Sequence, residues 1–331
     1  MADRRLFALF GHPVRHSVSP GMHSAAFRAL GLPHVYSAFD VPTEEDLRQL
    51  VEEIRSGVIA GANVTVPHKQ RVMAMADVID ESARAVGAAN VLCRTEDRRV
   101  IAYNTDALAL QDDLSELLRD SAPLVVGGRS LGATSASAPV TPNPRLRAVI
   151  IGAGGAGLAA IAACNRLGFN VINVTTRSWT SSEAMFESPA GERARSLGAF
   201  TAPWPNRSTP VVSKASMMLR LNWSETAVSA DVIIQATSAG MLGGPPGEDV
   251  TGIVPWDALQ PHARAYDVVY NPPVTPFLRM ARMRGLRAMD GVGMLVGQAA
   301  RSFALWTGIA APVDIMRAAA DESLEKAASV R

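Results

Sequence analysis

Apolar residues in this chain occur either as short unbroken runs or at helical spacing, and the alternation of the two predicts an α/β protein. Residues 6–10 form an apolar run ending at Gly11-His12-Pro13, which predicts a buried strand feeding a loop. Ser19-Pro20 predicts a helix start, with Ser19 as N-cap and a stop at Gly31. Residues 35–41 alternate as a strand. Thr43 then caps a helix whose Leu47, Leu50, Val51 and Ile54 share one face. Residues 61–66 predict a strand cut by Pro67, with short helices after it over 70–75 and 82–86. Strands at 89–93 and 100–103 flank a polar turn at Glu96-Asp97-Arg98, and a helix over 106–118 begins with Asp106.

The pattern then dissolves. Residues 121–144 are rich in Ser, Ala, Gly and Pro and contain no acid, which predicts a linker with room for one short strand at Leu124-Val125-Val126. A second pattern starts at 147: strand to 151, glycine turn, helix to 167, Gly168, strand over 170–175. That is a βαβ unit, and apolar runs at 232–236 and 265–269 read as later strands of the same parallel sheet. Residues 178–230 are poorly patterned, although Trp179, Trp204 and Trp223 imply that they pack.

Composition sharpens this picture by exclusion. A chain of 331 residues favours two domains. Hydrophobic residues at 48% and a formal net charge of +1 argue against general disorder, and give no support to nucleic-acid binding by bulk positive charge. The two cysteines, Cys93 and Cys164, make no disulfide framework and fit a reducing, cytoplasmic setting. No membrane span is expected, because the long uncharged stretch at 148–165 is broken by glycines, and the apolar run at 6–10 is too short for a signal peptide. His12 and His16 are four apart, but Pro13 and Pro20 oppose a helix there, so no metal site is predicted.

Gly152-Ala153-Gly154-Gly155-Ala156-Gly157 fits G-x-G-x-x-G, between an apolar strand and an Ala-rich helix, the context a dinucleotide site requires. Gly152 permits the tight turn, Gly154 lets backbone approach a pyrophosphate, and Gly157 lets helix and strand pack closely. The helix N-terminus supplies free N–H groups. An NAD site places an acid about 20 residues on. Here that position reads Thr176-Arg177-Ser178, and no acid occurs over 121–182. Arg177 can fork onto a 2′-phosphate, which favours NADP, although a lone arginine is also an ordinary solvated loop residue.

The ordered set of motifs resembles the shikimate dehydrogenase family, which includes quinate dehydrogenases. It comprises His16-Ser17-Val18-Ser19-Pro20, Asn63-Val64-Thr65-Val66-Pro67-His68-Lys69, Gly87-Ala88-Ala89-Asn90 and Asn104-Thr105-Asp106. The glycine turn follows, then Ala236-Thr237-Ser238-Ala239-Gly240-Met241, Asp267 with Tyr270-Asn271-Pro272, and the segment from Asp290-Gly291 to Gln298. The resemblance implies an N-terminal α/β substrate domain (1–112 with 293–331), a Rossmann NADP-binding domain (145–292), and a connecting helix end and linker (113–144). It also implies one C-terminal helix, at about 299–316, that returns to the first domain. The implied activity is reversible hydride transfer between NADP(H) and C3 of shikimate, with a homodimer left open.

By the same resemblance, Lys69 is the principal acid/base, and Asp106 orients it or relays the proton. An ammonium is a poor base at neutral pH, and burial and a neighbouring carboxylate act on it in opposite directions, so the sequence leaves open which group holds the proton. Without the resemblance, Lys69 reads as a surface cation and Asp106 as a helix cap. Ser17, Ser19 and Tyr270 are implied carboxylate ligands, and Asn63, Thr65, Asn90 and Gln298 implied ligands of ring hydroxyls, which suits groups that both donate and accept. Thr237, Ser238, Met241, Gly291 and Met294 are implied on the nicotinamide side, with Ala156 in the turn. Met294 by pattern alone reads as core. A relative acting on quinate or aminoshikimate, with NAD in place of NADP, and a non-catalytic sensor are the alternatives. Intact Lys69 and Asp106 count against the sensor. The chain departs from the family in its longer segments at 121–144 and 178–230, and in Thr176 where an Asn is common.

Overall fold

The computed structural model describes residues 3–119, 146–205 and 223–329. The linker expected at 121–144 lies outside them. Two six-stranded sheets organise the rest. The first contains β1 (Leu6–Gly11), β2 (Val35–Asp40), β3 (Gly61–Val64), β4 (Val78–Ile79), β5 (Val91–Arg94) and β6 (Val100–Tyr103), in the order β2-β1-β3-β5-β6-β4. β1 runs parallel to β2 and β3, whereas β5 is antiparallel to β3 and β6. Its helices are α1 (Ser19–Ala29), α2 (Glu44–Ser56), α3 (Glu81–Val86) and α4 (Asp106–Leu118).

Local chemistry explains most of these elements. Thr43 and Asp46 form a capping box at the start of α2, and Leu47, Val51 and Ile54 bury its apolar stripe completely. Two expected caps move by one or two residues. At α1 the cap position is Val18, because the Ser17 hydroxyl already accepts the Ser19 N–H at 3.3 Å. At α4 Asp106 is the first helical residue, and Asn104 Oδ1 accepts the Ala107 N–H at 3.1 Å. Asn104 therefore does the local turn-closing work and leaves the Asp106 carboxylate free for other partners. The helix expected at 70–75 is a 3₁₀ turn over Arg71–Met75.

The second sheet contains β7 (Arg147–Ile151), β8 (Val171–Thr175), β9 (Phe200–Thr201), β10 (Val232–Gln235), β11 (Arg264–Asp267) and β12 (Arg287–Met289). Its order is β12-β11-β10-β7-β8-β9, and every pair is parallel. This is the doubly wound Rossmann order, whose direction reverses between β7 and β10, where such sheets bind ligands. Around it lie α5 (Gly155–Arg166), α6 (Ser182–Glu187), α7 (Pro189–Ser196), α8 (223–228), α9 (Glu248–Ile253) and α10 (Pro276–Met283). The three tryptophans of the weakly patterned stretch do pack. Trp179 is fully buried in the core with α5, and Trp223 lies on the opposite face, its Nε1 donating to Ile253 O at 2.8 Å. Trp204 packs at the edge of that second core.

The single C-terminal helix expected at 299–316 is two helices, α11 (Val292–Thr307) and α12 (Val313–Ser329). Gly308, at φ +70°, ends α11 in the left-handed conformation, and Pro312 follows before the chain turns into α12. Ala299, Phe303, Trp306, Met316 and Leu324 share one core with Phe7, Met22 and Phe27 of the first half, so both helices do return to it. α4 packs on α11 and on α5, joining the halves. Among the described residues, no helix is long and apolar enough to cross a membrane.

Candidate active site

The cleft between the two sheets has a volume of about 500 Å³ and opens at the C-terminal ends of β1, β3, β7 and β10. Lys69 follows the loop after β3, and the Ala89 N–H donates to its carbonyl at 2.7 Å, fixing its backbone. Lys69 Nζ donates to Asp106 Oδ2 at 2.6 Å, with the lysine side chain 16% exposed and the aspartate 3%. Asn90 Nδ2 donates to the other oxygen, Oδ1, at 2.9 Å, and to Gln298 Oε1 at 3.2 Å. Asn90 Oδ1 accepts the Thr105 N–H at 2.7 Å, so the amide orientation is set by backbone. Asp106 therefore has both oxygens engaged before any ligand arrives.

The glycine turn meets this pair directly. A Cβ on Gly155 would stand 3.0 Å from Cβ and Cδ of Lys69, so the lysine stem lies along the turn. Gly155, expected among the cofactor-binding residues, falls on an unspecified position of G-x-G-x-x-G; its smallness is required by the lysine of the other half. The remaining glycines have the backbone geometry that such a turn needs. Gly152 adopts φ +119°, a Cβ on Gly157 would collide with Gly152 O, and Gly154 has no atom near the space its Cβ would fill. The N-cap of α5 has no side-chain partner, leaving the first N–H groups for a ligand. This turn fits a dinucleotide pyrophosphate.

Ser17, Ser19, Asn63, Thr65, Tyr270 and Gln298 line the same cleft. Burial pushes the Tyr270 phenol upward in pKa, and the neighbouring Ser17 hydroxyl pulls it down. Asn63 is more constrained than its sequence suggests. Its Nδ2 donates to Asn90 O at 3.2 Å and Ser302 Oγ at 2.9 Å, while Oδ1 accepts from the Tyr36 hydroxyl at 2.8 Å. Asn90 O cannot donate, and Ser302 Oγ donates to Gln298 O, so the amide has one orientation and one spare acceptor lone pair.

On the second-sheet side the cleft is lined by Gly152, Gly154, Gly155, Ala156, Thr176, Thr237, Ser238, Met241, Gly291 and Met294. Gly157 packs behind it, and Arg177 and Ser178 lie beyond its rim. Arg177 Nη1 pairs with Asp249 Oδ2 at 3.2 Å, both side chains well exposed. Sequence reasoning missed this carboxylate, which α9 brings in from a remote segment.

It also missed the girder beneath the loops that follow β10 and β11. Gln235, the polar end of β10, takes the Thr237 N–H and donates to Ala239 O at 2.9 Å and Asp267 Oδ1 at 3.2 Å. Asp267 also accepts from Val269 N at 3.0 Å and Thr275 Oγ1 at 2.6 Å. Burial pushes the Asp267 carboxyl up to about 7, against the pull of Thr275 and Val269. A polar residue closing an apolar strand was the available signal. His12 and His16 also border the cleft, and among the described residues no group of three His, Cys, Asp or Glu could hold a metal.

Comparisons with known proteins agree with this architecture. The shikimate dehydrogenase substrate binding domain matches residues 9–92, and the shikimate 5′-dehydrogenase C-terminal domain matches residues 291–320. The chain is 36% identical to the shikimate dehydrogenase (NADP(+)) of Desulforamulus reducens, over 93% of this chain and 92% of the relative. It is 35% identical to the same enzyme of Methanopyrus kandleri, over 98% and 97%. The structure of shikimate 5-dehydrogenase from Thermus thermophilus, in complex with NADP(H) and shikimate, superposes with a TM-score of 0.71 at 28% identity, covering 97% of this chain and all of that one. With identity of this level along nearly its whole length, on the same two-sheet fold, the chain belongs to the shikimate dehydrogenase family.

Proposed function

We propose that the protein catalyses the reversible NADPH-dependent reduction of 3-dehydroshikimate to shikimate. The observation that carries this reading is the Lys69–Asp106 pair lying against the glycine turn. It unites a proton donor from one half with the pyrophosphate cradle of the other.

Gly152, Gly154, Gly155 and Ala156 would hold the dinucleotide's phosphates, Thr176, Arg177 and Ser178 its ribose end, and Thr237, Ser238, Met241, Gly291 and Met294 its reactive ring. NADPH, when bound, supplies the hydride that reduces the C3 carbonyl. Lys69 Nζ donates a proton to the carbonyl oxygen as negative charge develops there, and takes it back in the oxidative direction. Asp106, held by Asn90, keeps Nζ on a fixed line and does not swing to meet substrate. The hydroxyls of Ser17, Ser19 and Tyr270 hold the substrate carboxylate. Thr65, Asn90 and Gln298 address ring hydroxyls, and Asn63, with only an acceptor lone pair to spare, accepts a hydrogen from one. A site of buried polar groups matched to hydroxyls rejects analogues that lack them. The unpaired thiols of Cys93 and Cys164 support a reducing, cytoplasmic setting.

The test is a steady-state matrix of shikimate and quinate against NADP and NAD. The highest kcat/KM is expected for shikimate with NADP. A maximum with quinate, or with NAD, overturns the substrate or cofactor assignment respectively, and NADPH binding with no turnover of either acid would indicate a sensor.

A further inference from the structure

Asp113 lies about two turns along α4 from Asp106, on the same face. It does not line the cleft, yet its largely buried carboxylate joins three elements. The Tyr266 hydroxyl, from β11, donates to Oδ2 at 2.7 Å, and the same carboxylate lies against the first turn of α11 at Gly293. Gly293 makes the approach feasible, since a Cβ there would overlap Asp113 Oδ1.

α11 begins at Gly291 without a side-chain cap of its own residue. Asp290 takes the Val292 N–H at 3.1 Å, and the Asp113 carboxylate of α4 stands against Gly293 at the same helix N-terminus, where negative charge is favourable. The two helices are therefore tied at two levels. At one, the Thr105 hydroxyl donates to Gln298 O at 3.2 Å; at the other, the Asp113 carboxylate packs against Gly293. Between them a Cβ on Gly297 would come within 3.2 Å of Ala109 Cβ. α11 carries Met294 and Gln298, and α4 carries Asp106.

We infer that Asp113 is a positioning residue: it fixes the axial register of α11 against α4, and with it the placement of Met294 and Gln298 relative to Lys69–Asp106. Tyr266 ties that register to the second sheet. The inference rests on the proposed function, in which Met294 faces the nicotinamide and Gln298 the substrate.

The experiment compares the full-length wild type with Asp113→Ala, Asp113→Asn, Gly293→Ala and the Asp113→Ala/Gly293→Ala double variant, well below their melting temperatures. Small misplacements at a hydride-transfer site cost turnover steeply, so Asp113→Ala is expected to lower kcat about tenfold or more. The deuterium isotope effect with labelled NADPH should rise, and both KM values should change less. Asp113→Asn keeps the side chain's shape against Gly293 and an oxygen for the Tyr266 hydroxyl, and should recover most of kcat. Gly293→Ala acts by displacing the carboxylate, so its loss and that of Asp113→Ala should not add. A folded Asp113→Ala with lowered melting temperature and unchanged kcat overturns the inference, as do additive losses or an Asn variant as impaired as Ala. If Asp113→Ala fails to fold, Asp113→Asn and Gly293→Ala decide the matter: both must follow the expected pattern. A wild type that reduces nothing overturns the proposed function and the inference with it, whereas an active wild type with an indifferent Asp113 overturns the inference alone.

Discussion

The two ends of the cleft are built on opposite principles. At the substrate end, Lys69, Asp106, Asn90 and Gln298 hold one another through buried hydrogen bonds, with Asp106 only 3% exposed. At the other end, where we propose the cofactor's ribose, Arg177 faces solvent at 42% exposure and is held by a single exposed carboxylate, Asp249. Proton transfer needs its donor aimed before the reaction begins, and only a buried, fully partnered group is held that firmly. Binding a phosphate needs only a cation within reach, and an exposed pair exchanges partners at little cost.

The contrast can be broken most severely at its rigid end. Lys69→Ala is expected to reduce kcat by about 10³-fold, within the range for losing a general acid, while NADPH affinity measured by fluorescence titration stays within about twofold. Comparable turnover in that variant would remove the assigned role. Asn90→Ala leaves Asp106 Oδ1 and the Thr105 N–H without their partner. Unmade buried hydrogen bonds cost about 1–3 kcal/mol each, so the melting temperature should fall together with kcat/KM. At the open end the effects are smaller and selective. Arg177→Ala should weaken NADP about tenfold and NAD hardly at all, and an equal loss for both would end the 2′-phosphate argument. Asp249→Asn should do the reverse, tightening NADP by about twofold to threefold, because the phosphate no longer competes with a carboxylate for Arg177.

The mildest effect is on pH stability, and it draws on both halves. Burial pushes the Asp267 carboxyl up to about 7, so the native state retains a proton that the unfolded chain releases. That contribution is full below the ordinary carboxylate range and is lost as pH rises through about 7. His23, buried against the Tyr36 ring, is lowered by burial to about 3. Its contribution is present above the ordinary imidazole range and is lost as pH falls from there toward 3. Between the ordinary carboxylate value of 3.8 and the ordinary imidazole value of 6.5 the two slopes oppose each other, so melting temperatures should form a plateau there and fall on either side of it. Asp267→Asn should turn that plateau into a rise with pH and remove the fall above it.

The sequence by itself determined what depends on neighbours along the chain. The capping box at Thr43, the alternation of strands and helices, the βαβ unit around Gly152–Gly157 and the paired strands β5 and β6 all follow from local spacing, and the structure keeps them. The ordered motifs also named the family. The short strands β4 and β12 carried too few residues to show a period, and the break at Gly308 was hidden because apolar residues continue past it. Only the tertiary structure decided the contacts between distant segments: Lys69 along Gly155, Asp249 on Arg177, Gln235 and Asp267 under the loops after β10 and β11, and Asp113 at the head of α11. Periodicity records which face of an element is buried, but a hydrogen bond between two buried polar groups leaves no period in either segment, so its partner is settled only when the sheets and helices pack.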